Sequence, residues 1–168
     1  MINFETRKQN MEKSHTYYIE IAIEMALENV ASGKGGPFAA IIVKDGEIIA
    51  KGTNSVTQTM DPTAHAEIVA IRNACKALNS FQLDNCILYS SCEPCPMCLG
   101  AIYWARPKVV YFAANNLDAA QAGFDDSFIY QELSLPLEKR SIPTFQLNHL
   151  KHNKPFDLWV AEENKIKY

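Results

Sequence analysis

The sequence lacks any long apolar run and any excess of positive charge. No segment approaches the roughly 20 apolar residues of a transmembrane helix, and residues 1–13 mix charges without the apolar stretch of a signal peptide. The formal net charge is −3, which indicates no basic surface for nucleic acid. We therefore expect neither a membrane partner nor a nucleic-acid partner.

The cysteines do not form the pattern of a disulfide framework. There are five, an odd number, and three of them fall between Cys92 and Cys98. This usage favours a reducing compartment, and we expect a cytoplasmic protein. With 168 residues, of which 48% are hydrophobic, the chain can bury one core. We expect residues 1–12 to be a flexible N-terminal extension and residues 13–168 to form a single domain.

Hydrophobic periodicity predicts alternating helices and strands, with no repeats. The Asp45-Gly46 pair, between two apolar runs, predicts a hairpin turn. Asp61-Pro62-Thr63 precedes an alanine-rich helix, and Pro94 is expected to begin another. The predicted helices cover about 19–30, 65–78, 94–106, 127–133 and 156–164, and the predicted strands cover 38–43, 47–52, 86–89, 108–113 and 144–147.

Two short motifs carry the chemistry. His65 and Glu67 are followed about thirty residues later by Cys95 and Cys98, which come directly after Pro94. One imidazole and two thiolates are three ligands suited to zinc, whereas structural zinc sites normally have four protein ligands. A site with three protein ligands leaves a position for water, and Glu67 could carry its protons. The pattern H-x-E followed by P-C-x-x-C is typical of zinc-dependent nucleobase deaminases.

The geometry of these motifs depends on where their helices begin. Residues two apart on a regular helix diverge by about 200°, so His65 and Glu67 converge only if His65 lies in an irregular first turn. The positive end of a helix dipole would stabilise a Cys95 thiolate. Cys92 offers a second, overlapping pair with Cys95, and we prefer Cys95 and Cys98 because both follow Pro94. A redox pair or a structural metal site remains an alternative for C-x-x-C alone.

With these motifs, the sequence resembles the cytidine-deaminase-like zinc hydrolases, and within them the bacterial branch that deaminates guanine. The resemblance extends from about Tyr17 to Tyr168. Its landmarks are Gly35-Gly36-Pro37-Phe38, Asn54, residues 61–67, residues 91–105, Ala122-Gly123-Phe124-Asp125-Asp126 and the terminal Tyr168. The segment 123–126 and Tyr168 point to the guanine-deaminating branch, whereas the other motifs occur across the superfamily.

The resemblance implies a three-layer α/β/α sandwich around a mixed sheet of about five strands, with one zinc ion per chain. It implies hydrolysis of guanine to xanthine and ammonia by zinc-bound water, with Glu67 as proton shuttle. His65, Cys95 and Cys98 would hold the metal. It also implies a homodimer whose C-terminal segment is exchanged between subunits.

The resemblance further implies a set of substrate contacts. Asn54 would contact the purine edge, and Asp126 would read or relay protons at the guanine amino group. Phe38 and Trp104 would form aromatic walls, although both residue types are also common in cores. Tyr168 would close the pocket from the partner subunit. Asp126 could instead be only a helix N-cap near Ser127.

Three other functions remain open from the sequence. A tRNA adenosine deaminase shares the zinc motifs but would be expected to carry a basic surface. A cytosine deaminase would not need Asp126 or Tyr168. A non-catalytic zinc-binding module would have no use for Glu67.

Overall fold

The computed structural model describes residues 14–168, so residues 1–12, for which we expect a flexible extension, lie outside the described part. The described chain divides into two compact units, the first ending at Asp126 and the second formed by Ser127–Tyr168. We predicted one domain over residues 13–168, and the division into two compact units does not test this prediction.

The first unit is built on a four-stranded mixed sheet with the order β2-β1-β3-β4. β1 pairs antiparallel with β2 and β3, whereas β3 and β4 are parallel. Its strands are β1 Ala39–Lys44, β2 Glu47–Thr53, β3 Ile87–Cys92 and β4 Val109–Ala114, and its helices are α1 His15–Ala31, α2 Val56–Thr59, α3 Ala66–Leu78, α4 Pro96–Ala105 and α5 Asn116–Gln121. The α/β class and the mixed sheet are confirmed.

The sheet is covered on both faces because its central strands are apolar on both sides. Ile42 and Leu88 belong to one core cluster, with α3 and α4, and Ile41 and Tyr89 belong to a second cluster, with α1. This arrangement gives the expected α/β/α layers. The alternation follows from the pleat, since successive side chains of a strand point to opposite faces.

The hairpin between β1 and β2 forms as predicted. Asp45 and Gly46 have φ values of 51° and 78°, the left-handed region that a type I′ turn requires at both central positions. Tyr18 of α1 donates its hydroxyl to the Gly46 carbonyl at 2.7 Å. The turn is therefore fixed both by its own residue types and by the helix beside it.

The second unit contains α6 Ser127–Ser134, a short 3₁₀ turn at Leu137–Lys139, and α7 Lys154–Ala161. None of its residues is buried. No helix among residues 14–168 has the length and apolar character needed to cross a membrane.

The prediction of a fifth strand at residues 144–147 is wrong. Among residues 14–168 the sheet has four strands. Residues 143–149 have no regular structure, and the side chains of Phe145 and Leu147 are exposed. A strand needs a hydrogen-bonded neighbour, and the alternation of a short segment does not reveal whether one is available.

Candidate active site

His65 lies at the N-cap of α3, outside the regular helix, as its convergence with Glu67 required. Its backbone is extended (φ −69°, ψ 155°), and α3 begins at Ala66. The preceding turn is fixed by Asp61, whose Oδ1 accepts hydrogen bonds from Thr63 N at 2.8 Å and Thr63 Oγ1 at 2.7 Å. The Asp61 side chain thus fixes the turn at residues 61–63, and this turn determines how the backbone enters α3 at His65.

Cys95 is the N-cap of α4, and Cys98 lies in the first turn of this helix. The helix begins at Pro96, two residues later than the start we expected at Pro94. A proline suits the first helical position because its missing N–H would have no partner there. Cys95 is half-buried and Cys98 is fully buried. Both ligand-bearing helices therefore present their N-terminal ends to the same place.

The three candidate ligands meet as the motifs indicated. The ligand atoms of His65, Cys95 and Cys98 all lie within 4.8 Å of one another. The Nδ1 atom of His65 is 3.5 Å from Cys95 Sγ and 3.6 Å from Cys98 Sγ. Zn–S bonds of about 2.3 Å and Zn–N bonds of about 2.0–2.1 Å at tetrahedral angles would separate sulfur and nitrogen by about 3.6 Å. The donor types and their spacing therefore fit zinc.

The electrostatics of this cluster favour a thiolate. The pKa of Cys95 is lowered to about 4, first because Cys98 donates a hydrogen bond to it and then because of His65. The pKa of Cys98 is raised, first by its interaction with the Cys95 sulfur and then by burial and by the neighbouring Glu67 carboxylate. The hydrogen bond with Cys95 also raises the pKa of His65. Binding of a divalent cation favours deprotonated sulfurs, so the cluster is suited to exchange its protons for a metal.

Glu67 brings a carboxylate to the edge of this cluster. Its side chain is buried, and Oε2 accepts a hydrogen bond from Cys98 Sγ at 3.4 Å. Burial raises the pKa of this carboxyl, because the charged form loses solvation. A buried carboxyl with a raised pKa beside a metal site is suited to take and return protons.

Asp126, at the end of the first unit, is electrostatically coupled to the same cluster. Its pKa is raised, first by partial burial and then by the negative charge of Cys95. Its own charge in turn contributes to the raised pKa of His65. These couplings indicate that Asp126 lies within electrostatic range of Cys95 and His65, and its role in the reaction stays a prediction.

Phe38 and Asn54 lie next to each other at the ends of β1 and β2. The backbone N–H of Asn54 donates to the Phe38 carbonyl at 3.0 Å. The Phe38 ring meets the ring of Phe124 edge to face, with centroids 4.9 Å apart. We did not predict Phe124 as a site residue. The sequence feature that could have indicated it is its position directly before Asp125-Asp126.

Trp104 shares helix α4 with Cys98, whereas Tyr168 belongs to the second unit. Trp104 is 66% exposed and lies near the C-terminal end of α4, about 9 Å along the helix axis from Cys98. Tyr168 belongs to the second unit, where its ring packs edge to face with that of Trp159 at 6.3 Å. Both assignments stay predictions.

Comparison with known proteins identifies the family. The family model for the cytidine and deoxycytidylate deaminase zinc-binding region matches residues 12–114, which include the three candidate ligands and Glu67. The chain belongs to this family of zinc-binding deaminases. Zinc is accordingly its cofactor, and the His65–Cys95–Cys98 cluster provides a potential site for it.

The relatives refine this result. A guanine deaminase of Bacillus subtilis is 59% identical over 92% of this chain and 99% of its own length. The X-ray structure of guanine deaminase from B. subtilis superimposes with a TM-score of 0.91, at 59% identity and the same coverage. A guanine deaminase from Nitrosomonas europaea is 34% identical, with a TM-score of 0.64, over 67% of this chain and 65% of that one. A tRNA-specific adenosine deaminase of Aquifex aeolicus is 45% identical over 64% of this chain and 69% of its own.

Proposed function

We propose that this protein is a zinc-dependent guanine deaminase, which hydrolyses guanine to xanthine and ammonia. The observation that carries the proposal is the buried carboxylate of Glu67, hydrogen-bonded at 3.4 Å to one member of a three-donor zinc site. A purely structural zinc site would have no need for this carboxylate. The choice of guanine is supported by the B. subtilis guanine deaminase, which this chain matches over 92% of its residues.

The roles of the site follow from its residue types. His65, Cys95 and Cys98 would hold the zinc ion, which would supply Lewis-acid chemistry and lower the pKa of water toward neutrality. Glu67 accepts a proton from the attacking water and delivers it to the ring nitrogen next to C2. The same carboxylate then takes the second proton of the added water from the hydroxyl on C2 and gives it to the amine. The C2–N bond breaks, ammonia leaves, C2 keeps the oxygen as a carbonyl, and the carboxylate ends in its starting state. Its burial supports this role, because a raised pKa brings it closer to neutral pH.

We further propose that Asn54 and Asp126 hold the base. Guanine presents N–H donors beside C2, and the carboxylate of Asp126 is an acceptor. Phe38 offers an aromatic ring next to Asn54, and this ring packs against that of Phe124. Trp104 is proposed as a second wall and Tyr168 as the residue that closes the pocket.

We also propose a cytoplasmic homodimer with exchanged C-terminal segments. Support for the compartment comes from the five cysteines, all of which are free thiols. Support for a dimer comes from the second unit, which has no buried residue although it contains Leu158, Trp159 and Val160. Exposed apolar side chains that lie together in one segment favour a protein partner.

A second candidate is a tRNA adenosine deaminase, since one such enzyme is 45% identical to this chain over 64% of its residues. Ammonia release from guanine, adenine, cytosine and a tRNA anticodon hairpin separates the candidates in one assay. We expect release from guanine and none from the hairpin. Release from the hairpin and not from guanine would assign the chain to the tRNA enzymes. A zinc-loaded protein without release from any of these substrates would contradict the proposal.

A further inference from the structure

Asn29 is a buried polar side chain that none of the site motifs includes. It lies near the C-terminal end of α1 and is 4% exposed. Its Nδ2 group donates one hydrogen bond to the backbone carbonyl of Gly36 at 2.9 Å and another to the backbone carbonyl of Asn54 at 3.0 Å. Asn29 therefore ties the loop that enters β1 to the residue that follows β2.

The same loop also holds the side chain of Asn54. The backbone N–H of Gly36 donates to Asn54 Oδ1 at 3.3 Å. Gly35 touches the backbone of Asn54 so closely that a Cβ atom at residue 35 would lie 2.1 Å from the Asn54 carbonyl oxygen. The peptide and the side chain of Asn54 are thus fixed by one small cluster consisting of Asn29, Gly35, Gly36 and Asn54.

This arrangement determines which end of the Asn54 amide remains for a ligand. The Gly36 N–H requires an acceptor, so the Asn54 oxygen faces it and the nitrogen faces away. A flipped amide would place its NH₂ group against another donor. Within residues 14–168, the Asn54 nitrogen makes none of the described hydrogen bonds, so its N–H groups remain for a partner that accepts.

We propose that Asn29 is a positioning residue for substrate recognition: it fixes the Gly36–Asn54 contact so that Asn54 presents an N–H donor to the base. The inference rests on the proposed function, because it takes Asn54 as a substrate contact. Loss of Asn29 leaves two carbonyls without their shared donor and frees the loop at Gly35-Gly36. The Asn54 amide then samples orientations that do not match an acceptor on the base, and binding weakens.

A double-mutant cycle between Asn29 and Asn54 tests the proposal. Asn29→Ala, Asn54→Ala and the double variant are compared with wild type by zinc content, melting temperature, kcat and KM. We expect Asn29→Ala to raise KM about five- to tenfold, the effect of about one hydrogen bond, with zinc content unchanged. In the Asn54→Ala background, the same substitution should change KM by less than about twofold, because Asn29 acts through Asn54.

Ser32→Ala is the matched control. Ser32 Oγ donates to the Asn29 carbonyl at 3.2 Å at the same helix end, but it makes no described contact with Gly36 or Asn54. We expect its KM to stay within about twofold of wild type, the range of a surface change away from the site. If Asn29→Ala does not fold, Asn29→Ser, whose hydroxyl is too short to bridge both carbonyls, replaces it in the cycle.

Two results would overturn the inference: an effect on KM that multiplies with that of Asn54→Ala, or an unchanged KM in folded Asn29→Ala protein. Failure of the proposed function is a separate result, since it concerns only which base the wild type deaminates. If that base is adenine or cytosine, the cycle is measured with it.

Discussion

Cys98 and Glu67 meet inside the fold, with Cys98 Sγ 3.4 Å from Glu67 Oε2 and both residues buried. They come from the first turns of two different helices, α4 and α3, which begin at Pro96 and Ala66. A candidate metal ligand and a carboxylate so close together could act on the same water. The site therefore depends on the relative placement of two helix N-termini.

This contact predicts the effect of Glu67→Gln. The amide keeps the shape of the side chain but cannot carry protons, so we expect kcat to fall about 10²- to 10⁴-fold with zinc still bound. Ammonia release and metal analysis of the purified variant measure the two quantities. Glu24→Gln, on an exposed position of α1, is the control and should retain full activity. Activity of Glu67→Gln within a few-fold of wild type would refute the proton-shuttle role.

The three cysteines between residues 92 and 98 should differ in their effect on metal content. Cys92 is buried at the end of β3; its Sγ lies 3.7 Å from the Asn115 carbonyl, and burial raises its pKa to about 11. We expect one zinc per chain in wild type and in Cys92→Ser, and a loss of most bound zinc in Cys98→Ser. Elemental analysis decides the matter: complete loss in Cys92→Ser, or undiminished zinc in Cys98→Ser, would show that the ligand assignment is wrong.

The close packing of β2 against α3 gives a prediction on stability. A Cβ atom at Gly52 would lie 2.2 Å from the Ala66 carbonyl oxygen and 2.4 Å from the Ala70 nitrogen. Gly52→Ala must therefore push α3 away, and we expect the free energy of unfolding to fall by about 1–3 kcal/mol. Zinc affinity should fall as well, since Ala66 lies between His65 and Glu67.

Gly100→Ala is the matched control for this substitution. Gly100 lies within α4, and a Cβ atom there would have no neighbour within 4 Å. We expect this change to stabilise the helix by up to about 1 kcal/mol, because alanine has the higher helix propensity. Denaturant unfolding measures both variants, and equal stability of the two would contradict the packing argument.

The sequence revealed what depends on neighbours along the chain. Asp45-Gly46 predicted its turn, and the need for His65 and Glu67 to converge predicted that His65 lies outside the regular helix. We did not predict helix α5. Its start does have a sequence signal, because Asn115 and Asp118 form a capping box.

Features that depend on distant contacts could not be predicted in this way. An asparagine in a helical pattern gives no sign that it is buried, or that it bridges Gly36 and Asn54. The number of strands likewise depends on which segments find a partner, and the pattern at 144–147 could not show that. The potential metal site formed by His65, Cys95 and Cys98 could be predicted because these residue types in this order are rare together, and not because the sequence shows how the two helices meet.

Asp126→Asn should separate substrate recognition from metal binding. The amide replaces a pure acceptor by a group that can also present a donor to the N–H edge of guanine. We expect kcat/KM for guanine to fall by about 10²-fold or more, since a mismatched polar contact in a binding site discriminates strongly. Asp125→Asn, the adjacent carboxylate, is the control and should have the smaller effect. Equal effects of the two substitutions would argue against a specific role for Asp126.

The predicted exchange of C-terminal segments can be tested by mixing two inactive proteins. One carries Glu67→Gln with an intact tail, and the other has Glu67 but lacks Tyr168. If Tyr168 completes the partner's site, each heterodimer contains one site with both residues, and random reassociation should recover about a quarter of wild-type activity. If Tyr168 serves its own chain, no site in the mixture has both residues. Mass measurement must first establish that subunits have exchanged; exchange without recovered activity would exclude the swapped arrangement and leave a tail that closes the site of its own subunit.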